Sequence, residues 1–113
     1  ESMSKPTSLV QGTLDLLVLK MLDLQPMNGW MISQRLKQLS NDVLQVSDGS
    51  LYPTLHKLEN TGVISAEWQR SENNRRAKFY SLTRLGQSAL QRETDDWNRL
   101  SSAIAHIVQL TQA

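Results

Sequence analysis

Between Arg70 and Arg84 the chain carries five cations, Arg70, Arg75, Arg76, Lys78 and Arg84, against one acid, Glu72. Phosphate binding needs local clusters of this kind, and a basic hairpin tip can follow a DNA backbone into the minor groove. A plainer reading stands beside it: exposed hairpin tips carry charge to stay soluble and to blunt strand edges. A second set, Ser50, Tyr52, Thr54, His56 and Lys57, lies on one helical stretch. Hydroxyl, imidazole and ammonium groups of this sort meet phosphates or base edges. Tyr52 stands open between that role and packing its ring on a neighbouring helix. Glu59 reads as a structural partner, because phosphate would repel it.

Catalysis finds little support. His56 and His106 are the only histidines, and neither has a carboxylate at metal-ligand spacing. No glycine-rich phosphate loop or paired-carboxylate motif occurs. Asp95 and Asp96 are adjacent, so their side chains diverge on a helix. The absence of cysteine excludes disulfides, thiolate chemistry and cysteine-ligated zinc. Neither enzymatic activity nor a cofactor is expected.

The 113 residues fit one domain with a real core. Twelve Lys and Arg against eleven Asp and Glu leave a net charge of +1, so any nucleic-acid binding must come from clustering rather than bulk basicity. The longest apolar run, Leu16 to Leu19, ends at Lys20, far short of the roughly 20 residues of a membrane span. No signal peptide precedes the first helix, which makes the cytoplasm the expected compartment and a membrane partner unexpected. Residues 1–8 read as a disordered lead segment, with Glu1-Ser2 ahead of Met3 as a tag remnant.

The elements that would position these groups follow from periodicity. Ten of the sixteen residues from Leu9 to Leu24 are apolar, around nearly the whole helical circumference. Such a helix is buried on more than one side, here on its own core and on a second chain. A second helix runs from Trp30 to Leu39, with Ile32, Leu36 and Leu39 on one face, closed by Ser40-Asn41-Asp42. A third starts at a Ser47 or Asp48 cap, turns Leu51, Leu55 and Leu58 inward, and ends at Thr61-Gly62. Pro53 is placed near its start, where a missing N–H costs least. Val63–Trp68 and Ala77–Leu82 form a hairpin around the polar tip Ser71–Arg76. Trp30 and Trp68 read as core or hairpin packing. From Thr83 a long helix follows, with Leu90, Trp97, Leu100, Ile104 and Ile107 spaced 7, 3, 4 and 3, the seam of a helix packed along another. Helix, helix, helix, hairpin, long helix is the order of a winged helix-turn-helix, an α+β fold that is mostly α, over residues 9–83, with a dimerisation helix over 84–113.

Asp48-Gly49-Ser50-Leu51-Tyr52-Pro53-Thr54-Leu55-His56-Lys57-Leu58-Glu59, followed by Gly62-Val63-Ile64, resembles the PadR family of bacterial transcriptional regulators. The likeness continues through Asn74–Tyr80 and Leu82-Thr83 to Gly86, and through Leu14–Leu22 and Asn28-Gly29, spanning about Leu9 to Leu110. The single last helix makes the chain similar to the short PadR subfamily, which includes the lactococcal multidrug-responsive repressor. This resemblance implies a homodimer built by the first and last helices, through Leu14, Leu17, Met21, Trp97, Leu100, Ile104 and Ile107. It also implies DNA binding at an inverted repeat by the third helix and the wing, through Ser50, Tyr52, Thr54, His56, Lys57, Asn74, Arg75, Arg76 and Lys78. In the short subfamily a tryptophan matching Trp97 lines a central pore where flat aromatic compounds stack; the plainer role of Trp97 is to fill the interface. The expected function is a dimeric repressor released by a small aromatic effector. The alternative is a winged-helix protein-interaction adaptor, which would need no basic wing tip.

Overall fold

The computed structural model describes residues 11–70 and 72–112. The expectations for residues 1–8, for Leu9 and Val10 and for Ser71 lie outside these. The elements are α1 (Gln11–Leu24), α2 (Gly29–Leu39), α3 (Asp48–Asn60), β1 (Ile64–Arg70), β2 (Arg76–Leu82) and α4 (Arg84–Val108).

Three of the helices begin where a short polar side chain satisfies the first free N–H groups. Asn28 accepts from the Met31 N–H at 2.8 Å, Ser47 from Ser50 at 3.2 Å, and Thr83 from Gly86 at 3.0 Å. α2 stops because Asn41 and Asp42 turn left-handed, at φ 52° and 69°. The Asp42 N–H then reaches the Lys37 carbonyl and Asn41 reaches Gln38, the paired bonds of a Schellman ending. Gly62, at φ +81°, ends α3 in the conformation that a Cβ disfavours. Pro53 departs from expectation. It is the sixth residue of α3, beyond the N–H groups that are free at a helix start, so the helix forgoes a bond to the Gly49 carbonyl.

The core is one cluster. α1 contributes Leu14, Val18, Leu19, Met21 and Leu22, α2 adds Ile32 and Leu36, α3 adds Leu51, Leu55 and Leu58, and Ile64 and Tyr80 close it from the hairpin. Leu14 and Met21 therefore pack inside their own chain and are not dimer contacts as expected. Leu17 is half-buried and lines a trough of about 570 Å³ between α1 and α4, together with Leu16, Gln87 and Leu90. Met27, fully buried, exchanges both backbone hydrogen bonds with Tyr80, at 3.1 and 2.8 Å, and so stitches the α1–α2 connection to the hairpin.

β1 and β2 pair antiparallel, with Ile64 opposite Leu82 and Arg70 opposite Arg76. α4 leaves the hairpin through a tight joint. Thr83 donates to the Gly62 carbonyl at 2.7 Å, and Gly86 lies against the Val63 carbonyl with no space for a Cβ. Only the first turns of α4 pack on the domain. Gly86 and Ala89 are buried and Leu90 is half-buried, whereas from Asp95 to Val108 every residue except Ser101 is exposed. No helix among the described residues is long and apolar enough to cross a membrane.

Candidate nucleic-acid interface

A strand alternates its faces, so the register sorts the hairpin residues. Ile64, Ala66, Trp68 and Arg70 lie opposite Leu82, Tyr80, Lys78 and Arg76, all on one face. Near the helices that face is apolar and buried. Its outer half is Trp68 and three cations, with no carboxylate; Glu67 points to the other side.

The cations are held individually. Arg70 donates to the Asn74 carbonyl at 3.3 Å and to its side-chain oxygen at 3.1 Å, bracing the tip, where Asn74 is left-handed at φ 62°. The Arg76 guanidinium lies 5.1 Å from the centre of the Trp68 ring, a cation–π distance. Arg70 and Arg76 face each other across the ladder, a like-charge pairing that costs stability. Lys78 donates to Glu59 at 3.0 Å and sits 5.8 Å from the Tyr80 ring centre. That hydrogen bond to Glu59 raises the Lys78 pKa above its ordinary value, outweighing burial. Burial pushes the Tyr80 phenol up as well, partly offset by the Lys78 charge. Glu59 is thus the structural partner expected, and it offsets the charge of Lys78.

α3 divides its residues by face. Leu51, Thr54, Leu55 and Leu58 are buried, while Ser50, Tyr52, His56 and Lys57 are exposed. Thr54 corrects the expectation of a DNA contact. Only 2% of it is accessible, and its hydroxyl donates to the Ser50 carbonyl one turn back, at 3.0 Å. Lys57 swings to α1 and pairs with Asp15 at 2.7 Å, so a phosphate would have to compete for it. Of the two roles left open for Tyr52, the structure shows the packing one. Its ring covers Gly29, where a Cβ would come within 2.6 Å of the hydroxyl, yet 45% of the residue stays exposed.

The structure also brings forward two residues that sequence alone assigns to packing. Trp30 and Trp68 are 67% and 58% exposed. They line one groove of about 450 Å³ between the start of α2, α3 and the hairpin, with Tyr52, Arg76 and Lys78. The signal for Trp30 is present in the sequence. It lies two residues before Ile32, about 200° around the helix and away from the buried face. Among the described residues no group of three His, Cys, Asp or Glu could hold a metal.

Known proteins share this architecture. A solved structure of a transcriptional regulator from Clostridium thermocellum superposes with a TM-score of 0.80 at 21% identity, covering 88% of this chain and 96% of that one, which shows the fold. A PadR-like transcription factor from Bacteroides fragilis is 33% identical, with a TM-score of 0.71 over 86% of this chain and 91% of its own. Among curated proteins, the transcriptional regulator Rv3488 of Mycobacterium tuberculosis is 43% identical over 54 residues, 48% of this chain and 50% of that protein. The family model described as the transcriptional regulator PadR-like family matches residues 18–92. That match takes in α2, α3, both strands and the packed part of α4, and on it the chain is a non-enzymatic transcriptional regulator that belongs to the PadR-like family.

Proposed function

We propose that the chain is a dimeric DNA-binding repressor. Each subunit lays α3 in the major groove of one half of an inverted repeat and the wing tip, with Asn74 and Arg75, in the adjoining minor groove, with Arg76 on the backbone beside it. One observation carries this reading: the outer wing face holds Arg70 and Arg76 with no carboxylate of its own, beside the exposed Ser50, Tyr52 and His56 of α3. Phosphates attract the first group, and base edges accept or donate to the second. A protein-interaction adaptor has no use for that asymmetry. Such a dimer would repress by occupying its operator, in the cytoplasm where the DNA is.

Arg75→Ala combined with Arg76→Ala is expected to weaken binding to every duplex tested. The slope of log affinity against log salt should fall by about 0.9 for each phosphate that the variant no longer neutralises. Fluorescence anisotropy across a salt series measures both quantities. Wild-type affinity and slope in the double variant, or passage of the protein through heparin at low salt, would overturn the reading.

The dimer is supported by α4. Trp97, Leu100, Ile104 and Ile107 are 44–63% exposed on one stripe of the helix segment that projects beyond the packed domain. A lone helix of that length is marginal in water, and an apolar stripe at 3 and 4 spacing is satisfied by a second copy. Trp97 then lies near the two-fold axis, where its ring can stack a flat aromatic effector. Titration of flat dyes and phenolic acids should quench its fluorescence with micromolar affinity at best, since stacking adds only about 1 kcal/mol per face. Equal binding by Trp97→Ala would reduce Trp97 to interface packing.

A further inference from the structure

Two tryptophans on different elements share one groove, and core packing accounts for neither. Trp30 on α2 and Trp68 on β1 are more than half exposed, in a trough open to solvent and lined also by Tyr52 and Arg76. Arg76 has no carboxylate partner among the described residues, and its guanidinium is held over the Trp68 ring. The pairing of Arg70 with Arg76 leaves positive charge at the outer edge that an anion would relieve.

Position narrows the occupant. The major groove is about 12 Å wide and the minor about 6 Å, and one sugar–phosphate strand separates them. If α3 enters the first and the wing tip the second, the surface between α3 and the wing must face that strand. The trough is that surface, with Tyr52 on its α3 side and Trp68 and Arg76 on its wing side. Its walls are aromatic and both its charged groups, Arg76 and Lys78, are cations, which matches a chain of apolar deoxyribose faces and anionic phosphates.

We propose that this groove seats the strand between the two DNA grooves, with Trp30 and Trp68 packed on deoxyribose and Arg76 on the intervening phosphate. The proposal rests on the DNA-binding reading above and adds to it residues outside the recognition helix and the wing tip. Trp30 and Trp68 supply affinity without charge and without reading sequence.

The test uses the full chain carrying Trp97→Phe, so that Trp30 and Trp68 are the only tryptophans. A random-sequence 20-base-pair duplex at low salt is expected to reduce acrylamide quenching of both at least threefold. Trp30→Ala and Trp68→Ala should each weaken binding to specific and random duplexes about tenfold, because each removes the burial of an indole. The salt slope should stay at the wild-type value, whereas Arg76→Ala lowers it by about 0.9. Both side chains are exposed, and unchanged circular dichroism will show that the variants fold. Wild-type affinity in both tryptophan variants, while the parent still binds DNA with a steep salt dependence, overturns the groove proposal and leaves DNA binding standing. A wild-type chain that binds no duplex overturns both. Protection of Trp30 and Trp68 from acrylamide by naphthalenesulfonate but not by the duplex would make the groove a small-anion site and also overturn the proposal.

Discussion

Gly86→Ala is expected to destabilise the protein by about 3 kcal/mol, although it adds a single methyl group in a helix, where alanine is otherwise the better residue. The added Cβ would overlap the Val63 carbonyl oxygen and come within 2.7 Å of the Leu82 side chain. Leu82 can turn aside, but the Val63 carbonyl cannot, because it is backbone and accepts from the Thr83 N–H at 3.2 Å. Relief requires α4 to move away from the α3–β1 connection. That motion strains the Thr83 cap and its 2.7 Å bond to Gly62. At roughly 4 °C per kcal/mol the melting temperature should fall by about 12 °C. Thermal unfolding at one fixed protein concentration measures this, since a dimer would melt in a concentration-dependent way. A loss below about 1 kcal/mol would show that the joint is loose. Gly12, where a Cβ meets nothing within 4 Å, is the control, and Gly12→Ala should not destabilise.

Ile104→Asp is expected to raise the dimer dissociation constant at least a thousandfold. Ile104 is 53% exposed in the single chain and central to the α4 stripe. A two-fold interface meets each substitution twice, so two unpaired carboxylates would be buried close together. Each costs several kcal/mol to desolvate without a partner. Static light scattering over a dilution series should show the variant as monomer where the wild type is dimer. The winged domain should remain folded, because Leu14, Val18, Leu19 and Met21 complete their burial within one chain. Only the projecting half of α4 should lose helicity. A variant that stays dimeric would mean that this stripe is not the interface.

Local rules make much of the molecule legible. Helix ends depend on groups within four residues, so Asn41-Asp42, Ser47, Gly62 and Thr83 mark boundaries that the structure keeps to within a residue or two. Buried faces follow the 3.6 period, which selects Ile32 with Leu36 and Leu51 with Leu55 and Leu58. The hairpin is bracketed by its polar tip, and the charge cluster needs only counting. Thr54 breaks the pattern because its polarity suggests exposure, whereas its place one turn from Leu51 and Leu58 puts it inside. Its own helix satisfies the hydroxyl, which lets it be buried.

The remaining features depend on which elements meet, and the period of a single element carries no such information. α1 is apolar all round, and only its packing against α2, α3, the hairpin and α4 shows that Leu14 and Met21 are spent on its own core while Leu17 is left half-buried. Lys57 and Lys78 look like phosphate ligands in the chain, but partners 42 and 19 residues away, Asp15 and Glu59, take up their charge. Trp68 belongs to the strand face that buries Ile64, yet it lies beyond the reach of the helices and so stays exposed beside Trp30. The elements, their caps and the basic wing can be read from the chain, because they depend on neighbours along it. Which cations find a carboxylate and which aromatics stand open emerges only on folding, because charge pairing and burial depend on neighbours in space.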